Sequence, residues 1–299
     1  MNLSNIARSL LLGAFLLLTA WPVGALGQQR YRVAACDWMM LKRQKLGEFQ
    51  LARDIGADGI EMDMGALGRR TLFDNKLREP HFRDLFRRTA DSLGIAVPSM
   101  AMSGFFAQNL LTRDNYRTLA ADCLQSMQVM GATVAFLPLG GSGSAWQQEG
   151  SAEHREMVSR LRDIGRMAMA ADKVVAIRTG LDARANIKLL KEIGSEGIKI
   201  YYNLQDAVDN GRDACKELQQ LGRRRVAQIH ASLTDSVTLD RDPRIDLRRV
   251  RRTLDRMHWQ GWLVVERSRD AKDVHNVKGN YGRNVKFLKE VFRERPDKR

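Results

Sequence analysis

From Arg30 onward the chain alternates short apolar runs with longer stretches in which apolar residues recur every three or four positions. The short runs predict strands at residues 31–38, 59–64, 96–103, 133–139, 174–179, 198–204, 226–232 and 261–268. The longer stretches predict helices with one buried stripe each. One stripe carries Tyr116, Leu119, Cys123, Met127 and Met130; another carries Leu247, Val250, Leu254 and Met257. The last carries Val277, Tyr281, Val285, Leu288 and Phe292.

Strands alternating with helices imply a parallel sheet. No linker or composition break divides the chain, so residues 28–299 read as a single α/β domain, a closed (β/α)8 TIM barrel. Gly56, Gly59, Gly94, Gly131, Gly194 and Gly222 stand between helices and the following strands, where glycine suits the left-handed helix end. An open doubly wound sheet is disfavoured, because no G-x-G-x-x-G turn is present. The nearest match, Gly140-Gly141-Ser142-Gly143-Ser144, reads as a βα loop.

Successive strand side chains point to opposite faces. In a barrel the helix-facing side must be apolar, so polar residues within strands belong to the lumen or to the mouth at the carboxyl ends. Glu61 and Asp63 share one face of the second strand, against Ile60, Met62 and Met64. Arg178 follows Ala176 on the fifth strand, Asn203 follows Tyr201 on the sixth, and His230 lies between Gln228 and Ser232 on the seventh. Glu266 lies between Val264 and Ser268 on the eighth, and Ser103 lies near the end of the third. Glu61, Asp63, Arg178, Asn203, His230 and Glu266 thus converge. Buried charges without partners cost several kcal/mol, so these groups must pair or bind a ligand. Trp38, Trp146 and Tyr202 lie near strand ends.

Charge and composition narrow the classes. The chain has 299 residues, 49 Lys and Arg against 35 Asp and Glu, and a net charge of +14. That excess raises nucleic acid, membrane surface or an anionic substrate as partners. Residues 1–27 read as a secretory leader: Arg8 in a positive start, an apolar run too short to span a bilayer, then Ala25-Leu26-Gly27 as the cleavage region. The expectation is an exported, periplasmic or secreted protein with no stable membrane insertion after cleavage. Cys36, Cys123 and Cys215 are widely spaced and read as buried thiols.

Several stretches carry a resemblance. They are Cys36-Asp37-Trp38-Met39, Ile55-Gly56-Ala57-Asp58-Gly59-Ile60-Glu61-Met62-Asp63-Met64-Gly65, Ala135-Phe136-Leu137-Pro138-Leu139-Gly140, Ile198-Lys199-Ile200-Tyr201-Tyr202-Asn203, Gln228-Ile229-His230 and Trp262-Leu263-Val264-Val265-Glu266-Arg267-Ser268. Over nearly the whole mature chain the sequence resembles exported members of the sugar phosphate isomerase/epimerase family, which has a xylose isomerase-like barrel. The resemblance implies a carbohydrate substrate and proton abstraction next to a carbonyl, in an isomerase, an epimerase, or a lyase or hydrolase of keto-sugars. It also implies one divalent metal (Mn, Mg or Zn) on four ligands, Glu, Asp, His and Glu. Here the first two positions hold Arg178 and Asn203, leaving His230, Glu266 and Asn203 as candidate ligands. Arg cannot ligate a metal, so Arg178 is expected to stabilise an enolate oxygen instead, with Glu266 as base and His230 as proton donor. Glu61, Asp63, Asn203, Trp38 and Arg267 are the expected substrate contacts. A catalytically inactive, sugar-binding barrel is the alternative. DNA processing is not expected, although AP endonucleases share this barrel and the arginines at 223–225 and 244–256 are dense: five His residues cannot build the multi-metal site of those enzymes.

Overall fold

A computed structural model of the chain describes residues 30–40 and 43–293. The leader expected over residues 1–27 lies outside them. Eight strands close a parallel barrel in sequence order. They are β1 (Tyr31–Cys36), β2 (Gly59–Asp63), β3 (Ala96–Ala101), β4 (Val134–Pro138), β5 (Val174–Arg178), β6 (Ile198–Asn203), β7 (Val226–His230) and β8 (Gly261–Val265). The barrel closes where Tyr31 to Ala35 pair with Gly261 to Val265.

The helices outside it are α1 (Gly47–Asp54), α2 (Pro80–Leu93), α3 (Tyr116–Met130), α4 (Ala152–Ala170), α5 (Ala183–Ile193), α6 (Leu204–Asp209), α7 (Ala214–Leu221), α8 (Leu247–Arg256) and α9 (Val277–Arg293). None of the described helices is long and apolar enough to cross a membrane. The expected stripes face the barrel: Tyr116, Leu119, Cys123 and Met127 are buried on α3, and Tyr281, Val285, Leu288 and Phe292 on α9. On α8 the buried positions are Leu247, Val250, Thr253 and Leu254. The surrounding arginines are paired, Arg244 with Asp242, Arg249 with Asp213, Arg251 with Asp255 and Arg252 with Asp246. All three cysteines are buried and free.

Two apolar layers form, divided by the sheet. Ile60, Met62, Met100, Leu137, Ile177, Ile229 and Leu263 pack outward against the helices. Ala34, Cys36, Ala101, Phe136, Ala176, Tyr201 and Val264 fill the lumen. This division follows the two-residue alternation of each strand.

Most strands end one to three residues before the polarity pattern predicts. The pattern continues because the departing loops also face inward: Trp38–Met40, Ser103–Phe106 and Gly140–Ser142 each form a single tight turn over the mouth. The sixth unit differs more. Leu204, expected to end a strand, starts α6, because the Asn203 side chain caps that helix by accepting from the Gln205 N–H at 2.8 Å.

The helix-end glycines Gly56, Gly94, Gly131, Gly194 and Gly222 have φ between 65° and 74°. Gly59 has a different role. It starts β2, and a Cβ there would lie 2.7 Å from the Ala96 carbonyl oxygen and 2.9 Å from the Trp262 ring. Gly59→Ala is therefore expected to destabilise the barrel by about 1–3 kcal/mol through overpacking. Denaturant unfolding of the two proteins measures the difference.

Candidate active site

Glu61 is a polar group of the lumen whose side chain is completely buried. Its Oε2 accepts from Ser99 Oγ and from Tyr201 OH, both at 2.7 Å. Its Oε1 lies 2.8 Å from His230 Nε2. The ladder sets these meetings: Glu61 is in register with Ser99 across β2 and β3. Burial, then the adjacent Glu61 charge, push the Tyr201 phenol well above its ordinary range, which keeps it a donor. The His230 ring is held by Tyr201 (4.3 Å between centroids), Phe136 (4.8 Å) and Trp38 (6.3 Å).

A carboxylate accepts and cannot donate, so the Glu61 contact assigns the His230 proton to Nε2. Nδ1 then presents a lone pair toward the mouth. Asn203 Nδ2 sits 3.5 Å from that nitrogen and 3.4 Å from Glu266 Oε2. One amide group thus spends its two hydrogens on two acceptors. Its oxygen is already taken by the Gln205 N–H, which fixes the amide orientation.

Glu266 follows β8 directly, and its backbone is clamped. Its N–H donates to Ser232 Oγ at 3.1 Å, and its carbonyl accepts from Tyr281 OH at 2.6 Å. Oε2 faces Arg178 Nη1 at 3.3 Å and His230 Nδ1 at 3.6 Å. Among the described residues Oε1 has no hydrogen-bond partner. Arg178 is itself gripped from behind: Nε reaches Asp206 Oδ2 at 2.9 Å and Nη2 reaches Asp206 Oδ1 at 2.7 Å. This leaves Nη1 pointing at Glu266. Burial alone would lower the Arg178 pKa, but the Asp206 hydrogen bonds and the Glu266 charge outweigh it and raise it.

Above this cluster opens a cavity of about 670 Å³. Its lining includes Trp38, Phe106, Ser103, Gln205, Arg43, Arg178, Arg267 and Glu266. Trp38 stacks on Phe136 at 6.0 Å, and Phe106 lies under the Arg178 guanidinium at 5.5 Å. Buried Ser103 Oγ and Gln205 Oε1 have no partner among the described residues.

The expected residues therefore separate into two levels. Arg178, Glu266, Trp38 and Arg267 line the cavity. Glu61, His230 and Asn203 form its foundation and do not line it. Glu61 does not reach the cavity because both its oxygens are bonded one layer down, and His230 meets Glu266 both directly, at 3.6 Å, and through Asn203. Asp63 is fully buried to one side, where its Oδ1 accepts from the Gly65 N–H at 2.8 Å. Trp146 is packed in the outer core, and Tyr202 points to the helices, donating to Glu217. Sequence reasoning missed Asp206, Phe106 and Gln205. Asp206 had a faint signal as the acidic residue in the first turn of a helix capped by Asn203.

The donors do not suit the divalent metal that the resemblance implies. Asn203 turns its NH2 group, not its oxygen, to the site. The Glu266 oxygen nearest to His230 faces a guanidinium. Among the described residues no group of three or more His, Cys, Asp or Glu is placed to hold a metal ion. The Arg178 charge occupies the position where a cation would have to compete for Glu266.

Beside the mouth, Asp37, Glu48 and Asp63 form a second buried carboxyl cluster. Among the described residues Asp37 Oδ1, Glu48 Oε1 and Asp63 Oδ2 have no hydrogen-bond partner. Burial pushes Glu48 up to about 8 and Asp63 up to about 6. Burial, then the Glu48 charge, push Asp37 up as well. For Glu48 the native state holds its proton at pH values where the unfolded chain has lost it, so its contribution falls as pH rises from about 4.5 to about 8.

Two stability outcomes are expected. Glu61→Ala leaves His230, Ser99 and Tyr201 facing an unfilled space and costs roughly 3–5 kcal/mol in denaturant unfolding. Glu48→Gln removes the titration, so its stability relative to wild type rises between pH 5 and about pH 8; thermal unfolding across that range reads the difference.

The chain matches the sequence profile of the xylose isomerase-like TIM barrel family over residues 49–291. A comparison with functionally curated proteins finds no match. Among solved structures, 3-keto-D-glucoside 4-epimerase from E. coli is similar at a TM-score of 0.68 and 14% identity, covering 87% of this chain and 99% of that one. D-allulose 3-epimerase from Methylomonas sp., in complex with D-allulose, gives 0.65 and 13% identity, covering 88% and 98%. A xylose isomerase domain protein from Planctomyces limnophilus gives 0.66 and 14%, covering 88% and 96%. The barrel order, the inward constellation on its later strands and the profile match lead to one conclusion: the chain belongs to the xylose isomerase-like TIM barrel family.

Proposed function

We propose that this protein is an enzyme of carbohydrate metabolism that removes a proton next to the carbonyl of a keto-sugar. The observation that carries this reading is Glu266. It is the one carboxylate among the described residues that lines the cavity, with Oε2 anchored by Arg178 and Asn203 and Oε1 free. Oε1 takes the proton, and the C–H electron pair becomes the C=C bond of an enolate. The charge developing on the carbonyl oxygen meets Arg178 Nη1, the nitrogen Asp206 leaves available. Returning the proton to the neighbouring carbon, while the proton of the adjacent hydroxyl passes to the former carbonyl oxygen, completes an isomerisation. Expelling a β-substituent with its electron pair completes an elimination. Both need a single base, whereas epimerisation through two opposed carboxylates needs a second that this cavity lacks among its described residues. Trp38 and Phe106 supply apolar faces for the sugar ring. The similar epimerases support the substrate class, and the leader-like residues 1–27 support a place of work outside the cytoplasm.

The test is incubation of keto-sugars, including 3-keto-glucosides and D-allulose, with the protein in D2O. NMR is expected to show deuterium entering next to the carbonyl. Glu266→Gln is expected to lower the exchange rate by about 10²-fold or more while the thermal unfolding profile keeps its cooperativity. Sugar-dependent thermal stabilisation without exchange or product in the wild type would favour a sugar-binding barrel instead.

A further inference from the structure

The cavity holds a second chemical feature that proton abstraction does not use. Three guanidiniums line it against one carboxylate. Arg178 is spoken for by Asp206 and Glu266. Among the described residues the other two make no hydrogen bond to a carboxylate. Arg43, in the loop after β1, has a side chain 47% exposed, and its nearest carboxylate is Asp63 Oδ1 at 3.9 Å, beyond hydrogen-bond reach. Arg267, beside Glu266 after β8, is half-buried, and its guanidinium makes no hydrogen bond or ion pair among the described residues. β1 and β8 are neighbours at the barrel closure, so both arginines approach from the same side of the mouth. Arg178, on β5, approaches from the opposite side.

Elsewhere on this chain many arginines are ion-paired, as Arg78 is with Asp122, Arg244 with Asp242 and Arg269 with Asp235. Arg43, only loosely paired with Asp63, and Arg267, without an ion pair among the described residues, leave donors facing one cavity. A guanidinium offers a planar fork of donors that fits two oxygens of a carboxylate or a phosphate ester. Placed in a partly enclosed cavity, such a pair is weakly screened. The unpartnered Ser103 Oγ and Gln205 Oε1 in the same lining suit hydroxyl groups of a sugar.

We propose that the substrate is an acidic sugar, with an anionic oxygen group, carboxylate or phosphate ester, held by Arg43 and Arg267 while the carbonyl end lies between Glu266 and Arg178. The inference rests on the mouth being the sugar site proposed above and names the substrate class. The net charge of +14 acts in the same direction by drawing anions toward the protein.

Calorimetric titration of the purified protein with D-glucuronate, D-glucose 6-phosphate and D-glucose, in a buffer free of carboxylate and phosphate, tests it. At least one anionic sugar is expected to bind about tenfold or more tightly than glucose, as suits charge-assisted hydrogen bonds. Which of the two binds distinguishes carboxylate from phosphate ester. The preference is expected to collapse toward unity in the double variant Arg43→Gln/Arg267→Gln and to shrink with added salt. Equal binding of glucose and both anions, binding of none of the three, or an undiminished preference in the folded double variant overturns the inference. Deuterium exchange on neutral keto-sugars without any anion preference would leave the proposed chemistry standing and remove only this assignment. Anion preference without exchange on any keto-sugar, neutral or acidic, would do the reverse.

Discussion

A carboxylate in the middle of a closed barrel has no water to turn to, so the barrel must supply every bond it needs. Glu61 receives three, from Ser99, Tyr201 and His230. These contacts join β2 to β3, β6 and β7 through the lumen. They also determine what reaches the mouth. With Nε2 committed below, His230 shows a lone pair above. That lone pair orients one hydrogen of Asn203, and the other hydrogen meets Glu266. The position of the cavity's single carboxylate is thus inherited, through two intermediates, from a group that no substrate touches.

The second determinant is the ion pair chain Asp206–Arg178–Glu266. A guanidinium where the resemblance expects a carboxylate changes the electrostatics of the whole mouth. It neutralises Glu266 on one side, supplies the fixed positive charge that the proposed enolate would need, and disfavours a divalent cation beside it. Asp206 makes that exchange tolerable. Without it the two donors that Arg178 gives to Asp206, Nε and Nη2, would lose their acceptors in a site only 15% exposed. An Arg at the position where the resemblance expects a carboxylate, and its capture by a nearby acid, form one coordinated arrangement.

Much of this was legible in the chain. All eight strands lie where apolar runs predict them, and the inward parity of Glu61, Arg178, Asn203, His230 and Glu266 follows from alternation within each strand. Alternation is local, because it depends only on a residue's immediate neighbours. The ends of strands were less legible, since the same inward pattern persists in loops after the ladder stops. The short helix α6 was invisible for a related reason: Asn203 read as a lumen residue, yet its oxygen also caps a helix.

The sequence by itself determined the architecture, the lumen-facing set and the anomaly of Arg178 at a carboxylate position, because periodicity and residue chemistry are properties of the chain alone. The tertiary structure decided which of those inward residues meet each other and which line the cavity. Glu61 and His230 were sent below the mouth, Asp63 into a buried carboxyl cluster beside it, and Arg43, Phe106 and Gln205 onto its walls. Depth in a barrel depends on strand stagger, and loop placement depends on packing between distant segments. Neither quantity is carried by any single stretch of sequence.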